Sequence, residues 1–445
     1  MWFRRDLRLD ALPALCAAAA DGDVVPLFVD DPAFDRAGAG RRAYLRAALQ
    51  ALCAAMDGAL VVRRGDPVDV VPGLACEVGA AAVHLSRDAG PYGRRRDAAV
   101  IERLRADGVG VAATGSPYAV MPGTVCKADG SPYRVFTPFS RAWAQVERQA
   151  APDAPDVTWR GAPDVASDDL PAAPDHHAEL PPVGAAAARR RWHDFLDGPL
   201  ERYAADRDRP DLAATSELSA DLRWGVVHPS SLLADLDAHR GRGAGRFATE
   251  LTWREFYADV LLHQPESAWH NLVTSMDAMP LDTDAAARRR FERWASGTTG
   301  FPFVDAGMRQ LRSIGWMHNR VRMVTASFLV KDLHLPWWWG AAHFLGHLVD
   351  GDLASNNHGW QWVAGTGTDA APYFRVFNPV TQGLKFDKAG DYVRRWIPEL
   401  AHLAGKAAHE PWDADDGYAH GYPKRIIDHA EERQVALDRY QRGRG

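Results

Sequence analysis

VVPLFVDDPAFDRAGAGRRAYLRAALQALCAAMDGALVVR, residues 24–63, reads strand, helix, strand. Val24–Val29 is an apolar run that stops at Asp30-Asp31-Pro32. Arg41–Met56 carries apolar residues at helical spacing, and Ala59–Arg63 is apolar again. A strand that returns through a helix lies parallel to its predecessor, with the helix on one face of the sheet. The pattern extends both ways: Met1–Phe3 starts a strand abruptly, and Ala81–Leu85 and Val109–Ala113 add two more. Residues 1–120 are therefore expected to form an α/β domain with a doubly wound parallel sheet. No G-x-G-x-x-G opens a helix, so a dinucleotide fingerprint is missing.

The material then changes. Residues 148–187 are rich in Pro, Asp and Ala without a period, and 121–184 is assigned as an interdomain linker. From Ala185 the apolar period is helical, over Ala185–Ala205, Pro229–Ala238, Phe247–His263, Ala285–Ser296, Val304–Ile314, Val321–Leu333 and Ala341–Leu348. Residues 185–445 are expected to form an all-α domain. GRGAGR at 241–246 reads as a flexible turn rather than a phosphate loop, because no strand leads into it.

Composition excludes several classes. With 445 residues, 47% hydrophobic and 25% charged, the chain has ample core material and is neither disordered nor a small disulfide scaffold. It has no apolar run of membrane-spanning length, and the charges in MWFRRDLRLD interrupt the apolar core a signal peptide needs. Cys16, Cys53, Cys76 and Cys126 form no CxxC pair and read as reduced thiols, which points to the cytoplasm. The net charge of −6 gives no chain-wide basic footprint but leaves room for a local basic groove. Of 16 Trp, only Trp2, Trp143 and Trp159 precede residue 184. Indoles stack well on flat ligands, so such a ligand is expected in the helical part.

Several local patterns could carry chemistry. Thr215-Ser216-Glu217-Leu218-Ser219 precedes a helical stretch and suits either an anion site or plain N-capping. Asp350-Gly351-Asp352 followed by NNHGWQW, 356–362, is dense in carboxylates, amides and indoles. His343 and His347 stand at i and i+4, but no third ligand accompanies them, so no metal is expected. Glu250, Trp253 and Arg254 share one helical face, and so do Asn319 and Met323, flanked by Arg320 and Arg322. Such faces suit a pocket for a flat, hydrogen-bonding ligand.

WFRRDLRL, TSELSADLRWG, ELTWREFY, GWMHNRVRM, DGDLASNNHGWQW and TGTDAAPYFRVFNP together resemble the photolyase/cryptochrome family, closest to its class I cyclobutane pyrimidine dimer enzymes. The likeness covers nearly the whole chain. It implies an antenna domain followed by a helical domain holding FAD, and light-driven repair of UV-damaged DNA, single- or double-stranded, by a monomer. By motif, Tyr203, Thr215, Ser216, Glu217, Leu218, Ser219, Phe247, Arg254, Arg322, Asp350, Gly351 and Asp352 would hold FAD. Asn356 would face flavin N5, and Arg322 would pair with Asp350. Glu250, Trp253, Asn319, Met323 and Trp362 would take the flipped dimer. Arg207, Arg320 and Lys385 would approach the DNA backbone.

Two departures stand out. The family feeds electrons to its flavin through three Trp. Trp360 and Trp337 match the first two, but no Trp stands at Leu281–Asp284, so photoreduction is expected to be inefficient unless Trp338 or Trp339 serves as exit. The chain also has almost nothing before its first strand, which predicts a short central strand. Gly90 stands where a folate-binding Glu is expected, so 8-hydroxy-5-deazaflavin, near Arg41 and Arg42, is preferred to methenyltetrahydrofolate as a second chromophore. Two other readings stay open: a cryptochrome-type photoreceptor, and a (6-4) photoproduct enzyme, for which His318 beside Asn319 is the relevant residue.

Overall fold

The computed structural model describes residues 1–148, 150–171, 174, 176, 180–368 and 375–444. Asp369–Phe374, from the TGTDAAPYFRVFNP motif, lies outside the described residues. The chain divides into two compact units. The first comprises Met1–His176, Leu180–Glu201 and Ser216–Pro265, and the second takes Arg202–Thr215 and the chain from Glu266.

The first unit contains the five strands anticipated: β1 (Trp2–Phe3), β2 (Leu27–Asp30), β3 (Val61–Arg64), β4 (Ala82–Leu85) and β5 (Gly110–Ala113). All pairings are parallel, in a sheet ordered β1-β2-β3 and a separate β4-β5 pair. β1 is two residues long, the shortest of the five. Trp2, Leu27, Val61, Val83, Val100 and Leu104 share one core, the helical ones coming from Pro91–Ala106. The remaining stretch to residue 184 is not all irregular, because Phe136–Trp143 is a helix with Phe136, Phe139 and Trp143 buried. Its apolar residues at i, i+3 and i+7 are the expected stripe.

Several helical boundaries differ from the sequence reading. Ala185–Ala205 is split into Ala185–Asp197 and Pro199–Asp206, since Gly198 and Pro199 interrupt it. GRGAGR is not a turn: the helix that carries Glu250 runs Arg242–His263 and is capped by Gly241. Gly243 sits in its first turn because a Cβ there would lie 1.7 Å from the Leu200 carbonyl oxygen. Backbone contact, not flexibility, explains that glycine.

The second unit is helical around Trp294, Phe303, Phe328, Trp337, Phe344 and Trp360. Asn319–Ser327 continues into a π-helical turn, Phe328–Asp332. The helix expected at Ala341 starts earlier, at Trp337, behind Pro336. Leu353–Ala364 follows, started by Asp352, whose carboxylate accepts from Ser355 N at 3.1 Å. Among the described residues no helix is long and apolar enough to cross a membrane. All four cysteines are free thiols.

Candidate functional site

In the first unit, one face of Arg242–His263 carries the expected group. Glu250 is partly exposed and pairs with Arg246 one turn earlier at 3.0 Å. The half-buried Trp253 lies flat on Phe136, with centroids 3.7 Å apart and planes 4° apart. That contact, with Phe256 at 5.8 Å and Tyr257 at 5.4 Å around the same ring, fixes the indole plane. Arg254 donates to the carbonyl oxygens of Pro117 and Leu222, at 3.1 Å each, and lies over the Tyr118 ring. Its guanidinium thus braces the scaffold. Phe247 is buried against Trp192 and Phe195.

The 215–219 turn leads into the short helix Ser219–Trp224, whose N-cap is Leu218, with no side-chain capping bond. Plain N-capping by Thr215, Ser216 or Ser219 is therefore not what the structure shows. The helix is held from below, where buried Asp221 accepts from Arg191 and from the Tyr44 hydroxyl, each at 2.6 Å. Gly225 ends it left-handed, pressed against the Arg5 carbonyl, where a Cβ would be 2.0 Å away.

In the second unit, Arg322 donates to Asp350 Oδ2 at 2.8 Å and to the Met317 carbonyl at 2.7 Å. The pair anticipated from sequence is formed. Asp350 is 6% exposed, and its other oxygen, Oδ1, is buried without a partner. A buried carboxylate oxygen in this state is costly unless a ligand donor meets it. Asn356 donates through Nδ2 to the Ala341 carbonyl at 3.1 Å and to Asn357 Oδ1 at 2.8 Å. Both amide hydrogens are engaged, so Oδ1 is the atom with which Asn356 can meet a ligand, as acceptor. Asn319 is exposed at the start of its helix, and Met323 is half-buried one turn on. Trp362 is half-buried and Tyr203 buried.

Trp360 is 3% exposed, edge-to-face with Phe344 at 5.0 Å and Trp294 at 6.0 Å. Its ring lies on Gly340, where a Cβ would come within 2.1 Å of it, one turn after Trp337 on the same helix. Trp337 donates from Nε1 to Asn271 Oδ1 at 2.9 Å. It lines a cavity of about 400 Å³ together with Trp269, Leu281 and Trp338. His343 and His347 have ring centroids 4.2 Å apart, and His343 packs on Phe291 and Trp294. Burial pushes His343 down to about 3, so it stays neutral there as an aromatic core residue.

The three expected DNA-side cations are brought together. Arg207 and Arg320 converge on Asp208, at 3.8 and 2.8 Å, while Arg320 and Lys385 both lie over the Phe386 ring, at 4.5 and 5.0 Å. Asp208 thus lies between two guanidiniums, on a chain whose net charge is −6.

Residues 1–156 match the family described as DNA photolyase, and residues 247–442 match the FAD binding domain of DNA photolyase. A deoxyribodipyrimidine photo-lyase of Streptomyces griseus is 42% identical over 100% of this chain and 98% of its own length. The chain belongs to the DNA photolyase family. The Escherichia coli deoxyribodipyrimidine photo-lyase is 37% identical, again over 100% of this chain and 98% of its own length. Among solved structures, a bacterial class III photolyase from Agrobacterium tumefaciens is similar with a TM-score of 0.92 and 37% identity, covering 99% of this chain and 96% of that one. That relative is described as class III, whereas the motifs read closest to class I. A Synechocystis cryptochrome has a TM-score of 0.88 at 26% identity, covering 98% of each chain.

In this photolyase-family chain, sequence reading missed the supports rather than the motif residues. Phe136, the platform under Trp253, fell within the stretch assigned as linker, although its aromatic spacing was visible. Asn357 was quoted only as part of a motif, yet it holds the Asn356 amide and donates in turn to the Ala268 carbonyl. Asn271 carried no pattern at all.

Proposed function

We propose that the protein is a deoxyribodipyrimidine photo-lyase, using FAD and light to split cyclobutane pyrimidine dimers in UV-damaged DNA. It works as a monomer in the cytoplasm. The observation that carries the reading is buried Asp350, fixed by Arg322 and left with one unpartnered oxygen, directly before the helix that carries Asn356, Trp360 and Trp362. That oxygen fits a ligand donor such as a flavin-ring N–H or a ribityl hydroxyl.

When bound, FAD supplies light absorption and reversible donation of one electron to the dimer. The chain's own residues do the rest. In the second unit Asp350, Gly351, Asp352, Arg322 and Tyr203 bind and orient the cofactor, and the motif likeness assigns the same role to Phe247, Arg254 and the 215–219 turn. Asn356 offers Oδ1 toward N5 and supplies no proton there, because its amide hydrogens are engaged. In the first unit, Glu250 accepts from a base edge and Trp253 stacks on a base. In the second, Asn319 hydrogen-bonds a base while Met323 and Trp362 pack against the lesion. Arg207, Arg320 and Lys385 meet phosphates, which position the strand without reading sequence.

The (6-4) alternative would draw on His318. That ring accepts from Arg320 N at 3.2 Å as a helix cap, and burial pushes it down to about 4, so it is a poor proton donor. This supports the cyclobutane reading. The test is purification followed by denaturation: the protein should release FAD and, with reduced flavin, bind a thymine-dimer oligonucleotide more tightly than its undamaged twin. Protein free of flavin, or binding both strands equally, would overturn the proposal.

A further inference from the structure

Four further indoles, Trp294, Trp338, Trp339 and Trp269, stand in the same unit as Trp360 and Trp337, and the structure separates them. Trp294 touches Trp360 but is fully buried, with its N–H bonded to the Thr325 carbonyl at 3.0 Å. An oxidised ring there would be charged in an apolar core, with no solvent to take its proton, so it is a dead end. Trp339 packs edge-on to Phe291 and carries the Arg288 guanidinium over its face, 3.5 Å from the ring centroid. A fixed cation at that distance opposes a positive charge on the ring. Trp269 is 44% exposed and lines the cavity beside Trp337. Trp338 is half-buried and meets Trp337 edge-to-face with centroids 5.9 Å apart, within ordinary aromatic contact. It lines the same cavity, as does Leu281, from the segment that holds no tryptophan.

We propose that Trp338 is the terminal electron donor of the path through Trp360 and Trp337, replacing the indole absent at 281–284. The inference rests on the reading of Trp360 as the indole next to the flavin. The order is a plain relay of one electron. With FAD bound as the light-excited one-electron acceptor, Trp360 would give up one electron, Trp337 would refill Trp360, and Trp338 would refill Trp337. The Trp338 radical cation then loses its indole N–H proton to solvent in the cavity. An external thiol returns one electron and one proton, and is itself left as the thiyl radical, which pairs to disulfide. The cavity gives this final ring the solvent access that Trp294 lacks.

The test uses full-length, FAD-loaded oxidised protein and its Trp338→Phe, Trp339→Phe, Trp269→Phe and Trp360→Phe variants, under blue light with dithiothreitol. Three signals are read: the rate of flavin reduction, the lifetime of the tryptophanyl radical, and the position of oxidised tryptophan found by mass spectrometry after illumination in air without thiol. Trp338→Phe should lower the reduction rate by about tenfold or more, remove the long-lived radical and abolish the oxidation mark at 338. Trp339→Phe should match the parent in all three. If Trp338→Phe matches the parent while Trp360→Phe abolishes photoreduction, the assignment of Trp338 is wrong. If Trp269→Phe takes the loss instead, the exit is Trp269 and the proposal is overturned. If Trp360→Phe photoreduces like the parent, the reading of Trp360 itself fails.

Discussion

At the scale of single residues, the site relies on side chains that are fixed before any ligand arrives. Arg322 ties Asp350 to the Met317 carbonyl with two separate bonds, so truncating it strands a carboxylate whose side chain is only 2% exposed. Breaking a buried pair costs about 3–5 kcal/mol, and the quarter exposure of Arg322 places this one near the lower end. Arg322→Ala should therefore lower the melting temperature and the FAD content of purified protein together. Normal FAD content in that variant would remove Asp350 from the cofactor site. Candidate residues such as Asp350, Asn356 and Glu250 were read from motifs whose residue types and spacing are specific, and their roles are the expectation of that likeness. Their supports were not legible, because a ring such as Phe136 or an amide such as Asn271 becomes a partner only through contacts distant in sequence.

At the scale of elements, the five strands were read nearly in register, since short apolar runs between turn residues have few alternative readings. Helix starts were read less well. The helix at Trp337 begins with three consecutive indoles, which have no helical period, and the helix at Arg242 begins with glycines that sequence favours as a turn. In both, packing outweighs local preference. The close seat of Trp360 on Gly340 gives a direct check. Gly340→Ala would place a methyl within the Trp360 ring, so the ring must move, at a cost of about 1–3 kcal/mol for overpacking. Thermal unfolding should shift down and photoreduction should slow in the same variant. An unshifted melting temperature would mean that Trp360 does not pack as described.

At the scale of the molecule, protonation and salt set the working range. Burial pushes His228, His318, His343 and His358 down to about 3, 4, 3 and 4. Unfolded chain takes up these protons as pH falls through 6.5, while the folded chain does not, so stability is lost below about pH 6.5. Asp332 and Asp387, raised to about 6 by burial, protonate earlier in the fold and oppose this, as do Glu217, Asp221, Glu255, Asp259 and Asp305, which burial also raises; His84, His334, His409 and the Met1 amino group, all lowered by burial, act with the four histidines. The melting temperature should fall between pH 7 and pH 5, and a rise would contradict these burials. DNA affinity should drop steeply with salt despite the negative net charge, and Arg320→Ala should reduce the slope of log affinity against log salt by about 0.7–0.9. A slope unchanged in that variant would remove Arg320 from the phosphate contacts.

The central claim is repair itself. Protein with chemically reduced FAD is mixed with an oligonucleotide holding one thymine dimer, and intact thymines are counted after blue light and after darkness. Thymines should return only in the light, and Glu250→Ala should retain FAD while losing about 1–3 kcal/mol of lesion affinity. Dimers that persist under light in the parent protein would contradict the account.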